Sequence, residues 1–138
     1  WPEREEVLRA LGRAAIPSRG FDVILDVPRA HEDALRKVLT SFPGTAAVAN
    51  VDSVNVQPAL ASKGAGLRDA QRALGVPRAA TIAVGDGEND LAMFGEAGLA
   101  VAVANATAAA RAAARLQLSL PNGAGVAQLI EDVLAGRV

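Results

Sequence analysis

"TIAVGDGENDLAMF" runs from Thr81 to Phe94. An apolar run leads into two glycines, then Asp86, Glu88, Asn89 and Asp90, then apolar residues at helical spacing. The run predicts a strand over Thr81–Val84, and the spacing that follows predicts a helix over Asp90–Ala97. In a parallel α/β sheet, ligands gather outside the carboxyl ends of the strands. Asp86 falls two residues past Val84, at that edge. Gly85 and Gly87 permit a tight turn with close backbone approach. Asn89 or Asp90 can cap the following helix, whose free N–H groups favour an anion. Several carboxylates at one such edge are unfavourable unless a cation neutralises them. Oxygen-only ligands suit Mg²⁺, which keeps waters and takes one or two carboxylates together with phosphate. A solvated turn with a helix cap is the competing reading of the same residues. A dinucleotide loop is not, because Asp90 stands where the third glycine would be needed.

Lys63 decides between the first two. "SKGAGL" (Ser62–Leu67) places it immediately before a predicted helix, Gly64–Leu74. That helix travels roughly 16 Å at about 1.5 Å per residue, and the strand ending at Val84 returns a similar distance at about 3.3 Å per residue. Lys63 and Asp86 are therefore expected at the same sheet edge. A cation beside a metal-binding carboxylate is what a phosphoryl group, with its charge spread over several oxygens, requires.

Further along, strand Leu99–Val103, a helix from Thr107 to Ala114, an apolar stretch Leu116–Leu120 and a helix Val126–Leu134 continue the alternation. This pattern gives a parallel sheet covered by helices. Before Pro58 the texture differs. A helix over Glu3–Ala15, a strand over Phe21–Val27 stopped by Pro28 and a helix over Ala30–Phe42 come first. Two short strands, "TAAVAN" and "SVNVQP", joined around Asp52-Ser53, follow them. These compose a small α+β unit.

Composition bounds the function. The chain has 138 residues, 51% apolar and 21% charged, which is a globular balance. A net charge of -1 with no basic stripe argues against a nucleic-acid partner. No apolar run approaches the length of a transmembrane helix, so no membrane partner is expected. Cysteine is absent, which excludes disulfides and thiol chemistry and is compatible with a cytoplasmic setting. His31 is the sole histidine, at a predicted helix start, and reads as a surface or capping residue. Arg111 and Arg115 read as a solvated helix face, and Trp1 at the terminus carries no signal.

"SKGAGL" followed by "AVGDGENDLAMFGEAGLAVAVANA" resembles motifs three and four of the haloacid dehalogenase (HAD) superfamily of phosphatases, in particular its Cof-type and phosphoglycolate phosphatase-like branch. The resemblance covers about Val54 to Leu134. It implies a Rossmann-like α/β core portion at 58–138, with 1–57 resembling part of the α+β cap that this branch inserts. It also implies a Mg²⁺-dependent phosphomonoester hydrolase of small phosphorylated metabolites, working through an aspartyl-phosphate. Carried over, Asp86 would bind Mg²⁺ and Asp90 would bind or support it. Lys63 would hold the phosphate, and Asn89 would bond the phosphoryl group or orient Lys63.

The departure lies at the nucleophile. The family's Asp-x-Asp-Gly-Thr motif is nowhere in the chain. Asp26 in "VILDVPRA" ends an apolar run, but Pro28 stands where the second Asp belongs, and Asp26 reads as an ordinary residue closing a strand. Thr45 and Ser53 sit in the cap-like hairpin and do not supply the family's second motif. The expectation is thus a C-terminal part whose nucleophile lies outside the chain and which alone is inactive. The alternative is a truncated or degenerate, non-catalytic module that binds phosphate or Mg²⁺, or mediates association. "TIAV" cut from a neighbouring strand would leave an open edge, so self-association, or pairing with an N-terminal segment, is expected.

Overall fold

The computed structural model describes residues 1–21 and 23–138. The backbone forms two compact units, Trp1–Ala61 and Ser62–Val138.

In the first unit, helices α1 (Arg4–Arg13) and α2 (Glu32–Leu39) accompany strands β1 (Arg19–Gly20), β2 (Leu25–Pro28), β3 (Thr45–Asn50) and β4 (Ser53–Pro58). The sheet is antiparallel in the order β1-β2-β4-β3. Period-two alternation puts Leu25 opposite Val56 and Val27 opposite Val54. These four side chains are fully buried with Val7, Leu11 and Leu35 from the helices. The β3–β4 hairpin turns through Val51-Asp52, and Asn50 faces Ser53 across it.

Several expected boundaries move, each for a local reason. The strand expected over Phe21–Val27 begins only at Leu25, because Phe21 N–H bonds the Ile24 carbonyl at 2.8 Å and turns the chain back toward β1. Phe21 and Val23 are exposed as a result. Asp22, also in that expected strand, lies outside the described residues. Pro28 is the last strand residue rather than the stop beyond it, a position where its missing N–H does no harm. The helix expected over Ala30–Phe42 opens as a 3-10 turn and ends at Leu39. There the Thr40 hydroxyl donates to the Lys37 carbonyl at 2.7 Å, competing with the helical ladder. Trp1 is not idle: Nε1 donates to Thr45 Oγ1 at 3.1 Å, and that buried hydroxyl donates to Glu3 at 2.6 Å.

In the second unit, β5 (Ile82–Gly85), β6 (Leu99–Ala102) and β7 (Leu116–Gln117) form a parallel sheet in sequence order. Helices α3 (Lys63–Leu74), α4 (Leu91–Phe94), α5 (Ala108–Ala113) and α6 (Asn122–Leu134) complete it. Its core is built from small side chains around Phe94: Ala83, Ala97, Ala102, Val103, Ala106 and Ala110. Small residues let elements approach closely, and Gly64 shows how far. A Cβ there would lie 2.5 Å from the Ala92 carbonyl oxygen, so the first turn of α3 lies against the backbone of α4.

The helix expected over Asp90–Ala97 is a 3-10 turn, Glu88–Asp90, followed by the single turn of α4. The apolar stretch Leu116–Leu120 contributes only two strand residues. The last helix starts at Asn122, earlier than the expected Val126, for a reason given with the site.

Candidate active site

Lys63 opens α3. Ser62, in extended conformation, caps that helix by accepting the Ala65 N–H at 3.1 Å. The cap fixes where the helix begins, and so where Lys63 stands. Asp86 lies just past β5, in a loop whose shape is imposed by Asp90. The Asp90 carboxylate folds back, and its Oδ2 accepts the backbone N–H of Asp86 at 2.8 Å and of Gly87 at 3.0 Å. Gly85 makes room for this. A Cβ at Gly85 would lie 2.5 Å from the Asp90 Cβ, Cγ and Oδ2. From the other side, the Asp86 carbonyl accepts Thr107 N–H at 2.7 Å and the Gly85 carbonyl accepts Val103 N–H at 3.3 Å.

The second oxygen of Asp90, Oδ1, accepts from Lys63 Nζ in an ion pair. The carboxylate is only 3% exposed while the lysine side chain is 50% exposed. Burial pushes the Asp90 carboxyl upward. The bonds from Lys63, Gly87 and Asp86 outweigh it, holding the group below its ordinary value. Lys63, Asp86 and Asp90 line one cavity of about 430 Å³, whose other walls include Val84, Met93, Val103, Asn122 and Val126. Three charged groups thus share a cavity whose other walls are mostly apolar.

The remaining expected residues divide. Asn89 is not among the cavity-lining residues. Its Oδ1, like Glu88 Oε2, is buried without a hydrogen-bond partner among the described residues. Asp26 sits within β2, facing Asn55 and Arg19 across the sheet. Arg111 does more than solvate a helix face, since its guanidinium bonds the Ala106 carbonyl. Arg115 lies beyond α5, its backbone N–H bonding Ala100.

Asn122 lines the cavity and was not legible as a site residue. Asn105 Oδ1 accepts the Asn122 backbone N–H at 2.8 Å, and Asn105 Nδ2 donates to Asn122 Oδ1 at 2.9 Å. This pair starts α6 four residues early, and the signal for it was the Pro-Asn-Gly run at Pro121–Gly123.

For a cation, this chain offers a limited set. Both oxygens of Asp90 already accept from the chain, whereas Asp86 makes no ion pair among the described residues. No group of three or more His, Cys, Asp or Glu side chains among the described residues is placed to hold a metal. One carboxylate completed by waters and phosphate oxygens is nevertheless a donor set that Mg²⁺ accepts. The residues fit that ion to this extent: the Asp86 carboxylate makes no ion pair with the chain among the described residues, whereas Asp90 is engaged by Lys63 and the loop amides.

A sequence profile of haloacid dehalogenase-like hydrolases matches residues 21–130. The chain belongs to that family. Its sequence is 41% identical over 73 residues to the phosphoglycolate phosphatase of Metallosphaera sedula, covering 53% of this chain and 33% of that protein. It is 36% identical over 102 residues to phosphoserine phosphatase SerB2 of Mycobacterium tuberculosis, covering 69% of this chain and 24% of that one. A haloacid dehalogenase-like hydrolase from B. subtilis superposes with a TM-score of 0.70 at 25% identity, over 79% of this chain and 40% of that structure. The chain therefore spans less than half the length of each of these relatives. Among the described residues, no helix of this HAD-family chain is long and apolar enough to cross a membrane.

Proposed function

We propose that this chain supplies the phosphate- and cation-binding part of a Mg²⁺-dependent phosphomonoester hydrolase acting on small phosphorylated metabolites in the cytoplasm. The observation that carries the reading is the placement of Lys63, Asp86 and Asp90 on one cavity at the end of β5. Lys63 keeps N–H donors beyond the one given to Asp90 and presents them, with its charge, to phosphoryl oxygens. Asp90 holds that ammonium and fixes the Asp86 and Gly87 amides. Asp86 would hold the cation through its carboxylate. Mg²⁺, when bound, would neutralise charge developing on the phosphoryl oxygens. Asn89 is assigned to bonding the phosphoryl group or orienting Lys63, the roles the family resemblance implies; its Oδ1 is buried with no hydrogen-bond partner among the described residues and is open to a donor.

The aspartate that accepts the phosphoryl group, forming the aspartyl-phosphate, is assigned to sequence outside these residues. Asp-x-Asp-Gly-Thr does not occur in the chain, and Asp26 is an interior strand residue. Residues before the core are assigned to a cap that selects the substrate. The names of the two phosphatase relatives support a phosphate ester of a small acid as that substrate.

Calorimetry with Mg²⁺ and inorganic phosphate, beside an assay with p-nitrophenyl phosphate, tests the reading. The expected result is Mg²⁺-dependent phosphate binding that is lost in Lys63→Met and Asp86→Asn, with no turnover. Turnover abolished by Asp26→Asn would place the nucleophile inside the chain. Absence of phosphate and Mg²⁺ binding would leave the alternative, a non-catalytic module that only associates.

A further inference from the structure

Asn122 begins α6 with a backbone φ of 49°, in the left-handed region that Asn tolerates better than most side chains. It is held there by Asn105. The Asn122 backbone N–H can only donate, so the group Asn105 turns toward it must be its carbonyl oxygen. That leaves the Asn105 NH₂ to face the Asn122 side chain, which must in turn present its own oxygen. The two bonds therefore fix both amides. Asn122 Nδ2 is left over, with no acceptor among the described residues, on a residue that lines the cavity with Lys63 and Asp86.

We infer that Asn122 is a substrate-binding residue whose Nδ2 donates to a non-bridging oxygen of the phosphoryl group, and that Asn105 is the positioning residue that aims it. This rests on the phosphate-binding reading of the cavity. The chemistry is complementary. Phosphoryl oxygens only accept, and a constrained amide with its oxygen already engaged only donates. Lys63 contributes charge with a flexible stem, whereas Asn122 contributes direction. The hydrogen bond is made to a charged group, so its loss is expected to weaken phosphate binding about tenfold.

The test is a titration of the ¹⁵N-labelled chain with inorganic phosphate in the presence of Mg²⁺, following side-chain NH₂ resonances and backbone amides. The expected result is that the Asn122 NH₂ shifts with the same affinity as the Gly87 amide. Asn122→Gly, which keeps the left-handed backbone at ease, lowers phosphate affinity about tenfold and leaves Mg²⁺ affinity unchanged. Asn105→Ala lowers phosphate affinity in the same sense, again without touching Mg²⁺ binding. If Gly87 responds but the Asn122 NH₂ does not, or Asn122→Gly binds phosphate like the parent, the inference is overturned while the cavity reading stands. If Asn105→Ala matches the parent, the positioning role is overturned. If no residue of the Gly85–Asp90 loop responds, the cavity reading fails and the inference fails with it. A fall in Mg²⁺ affinity that accompanies the fall in phosphate affinity in both variants would show a merely structural role and overturn the inference.

Discussion

Lys63 Nζ donates to one oxygen of Asp90, and the other oxygen of the same carboxylate receives the backbone N–H groups of Asp86 and Gly87. One buried side chain thereby sets both the position of the cation and the shape of the loop that displays Asp86. Asp90 is the hinge of the site even though its oxygens are turned to the chain.

Removing it should separate those two functions. Asp90→Ala leaves two backbone donors and one ammonium without their acceptor, and unfolding free energy should fall by about 2–3 kcal/mol. Asp90→Asn keeps an oxygen for the amides and should cost about 1 kcal/mol. Urea denaturation of the three proteins checks the order. Equal stability of Asp90→Ala and the parent would show that the loop does not depend on this carboxylate.

Acid sensitivity follows from the same group. The Asp90 carboxyl is held below its ordinary 3.8 in the folded chain. The unfolded state therefore takes up the proton first as pH falls. The stabilisation is fully present above the unfolded value and is lost as pH drops below about 4 through the folded value. Urea midpoints measured from pH 6 to pH 2 should fall in that window, and fall less steeply in Asp90→Asn. A midpoint that rises on acidification would contradict the assignment.

Gly85→Ala and Gly64→Ala test the two close approaches that assemble the site. Each introduced methyl would meet atoms 2.5 Å away, Asp90 in the first case and the Ala92 carbonyl in the second. Overpacking of this kind costs about 1–3 kcal/mol. Gly85→Ala should in addition weaken Mg²⁺ binding, since Asp90 must shift to admit it. Thermal melts and calorimetry read the two effects separately.

Strand β5 has β6 on one side and no strand on the other among the described residues. Beside it, Ile82 and Val84 with Leu129, Ile130, Val133 and Leu134 of α6 line an apolar hollow of about 270 Å³. An open, apolar edge invites another strand. The 138-residue chain should therefore associate in light scattering, and its association should weaken when Ile82 is replaced by Lys. A monomer with slow amide exchange from Ile82 to Gly85 would refute this.

The sequence by itself determined the parallel sheet, the hairpin Thr45–Pro58 and the presence of Lys63 and Asp86 at one edge. Those features follow from local periodicity and from the fixed rise of helix and strand, which the order of residues along the chain encodes. It could not assign the two oxygens of Asp90. Whether a carboxylate faces a cation or folds onto its own loop depends on what else can donate to it, and Lys63 is brought near only by the packing of α3 on α4. The short reach of the turn at Glu88–Asp90 was hidden for the same reason, because the Asp90 bonds to Asp86 and Gly87 tighten a segment whose spacing reads as ordinary helix. Asn122 was hidden more deeply. Its early helical start and its place on the cavity depend on Asn105, seventeen residues away in sequence, and such a bond exists only once β6 and α6 have been brought together.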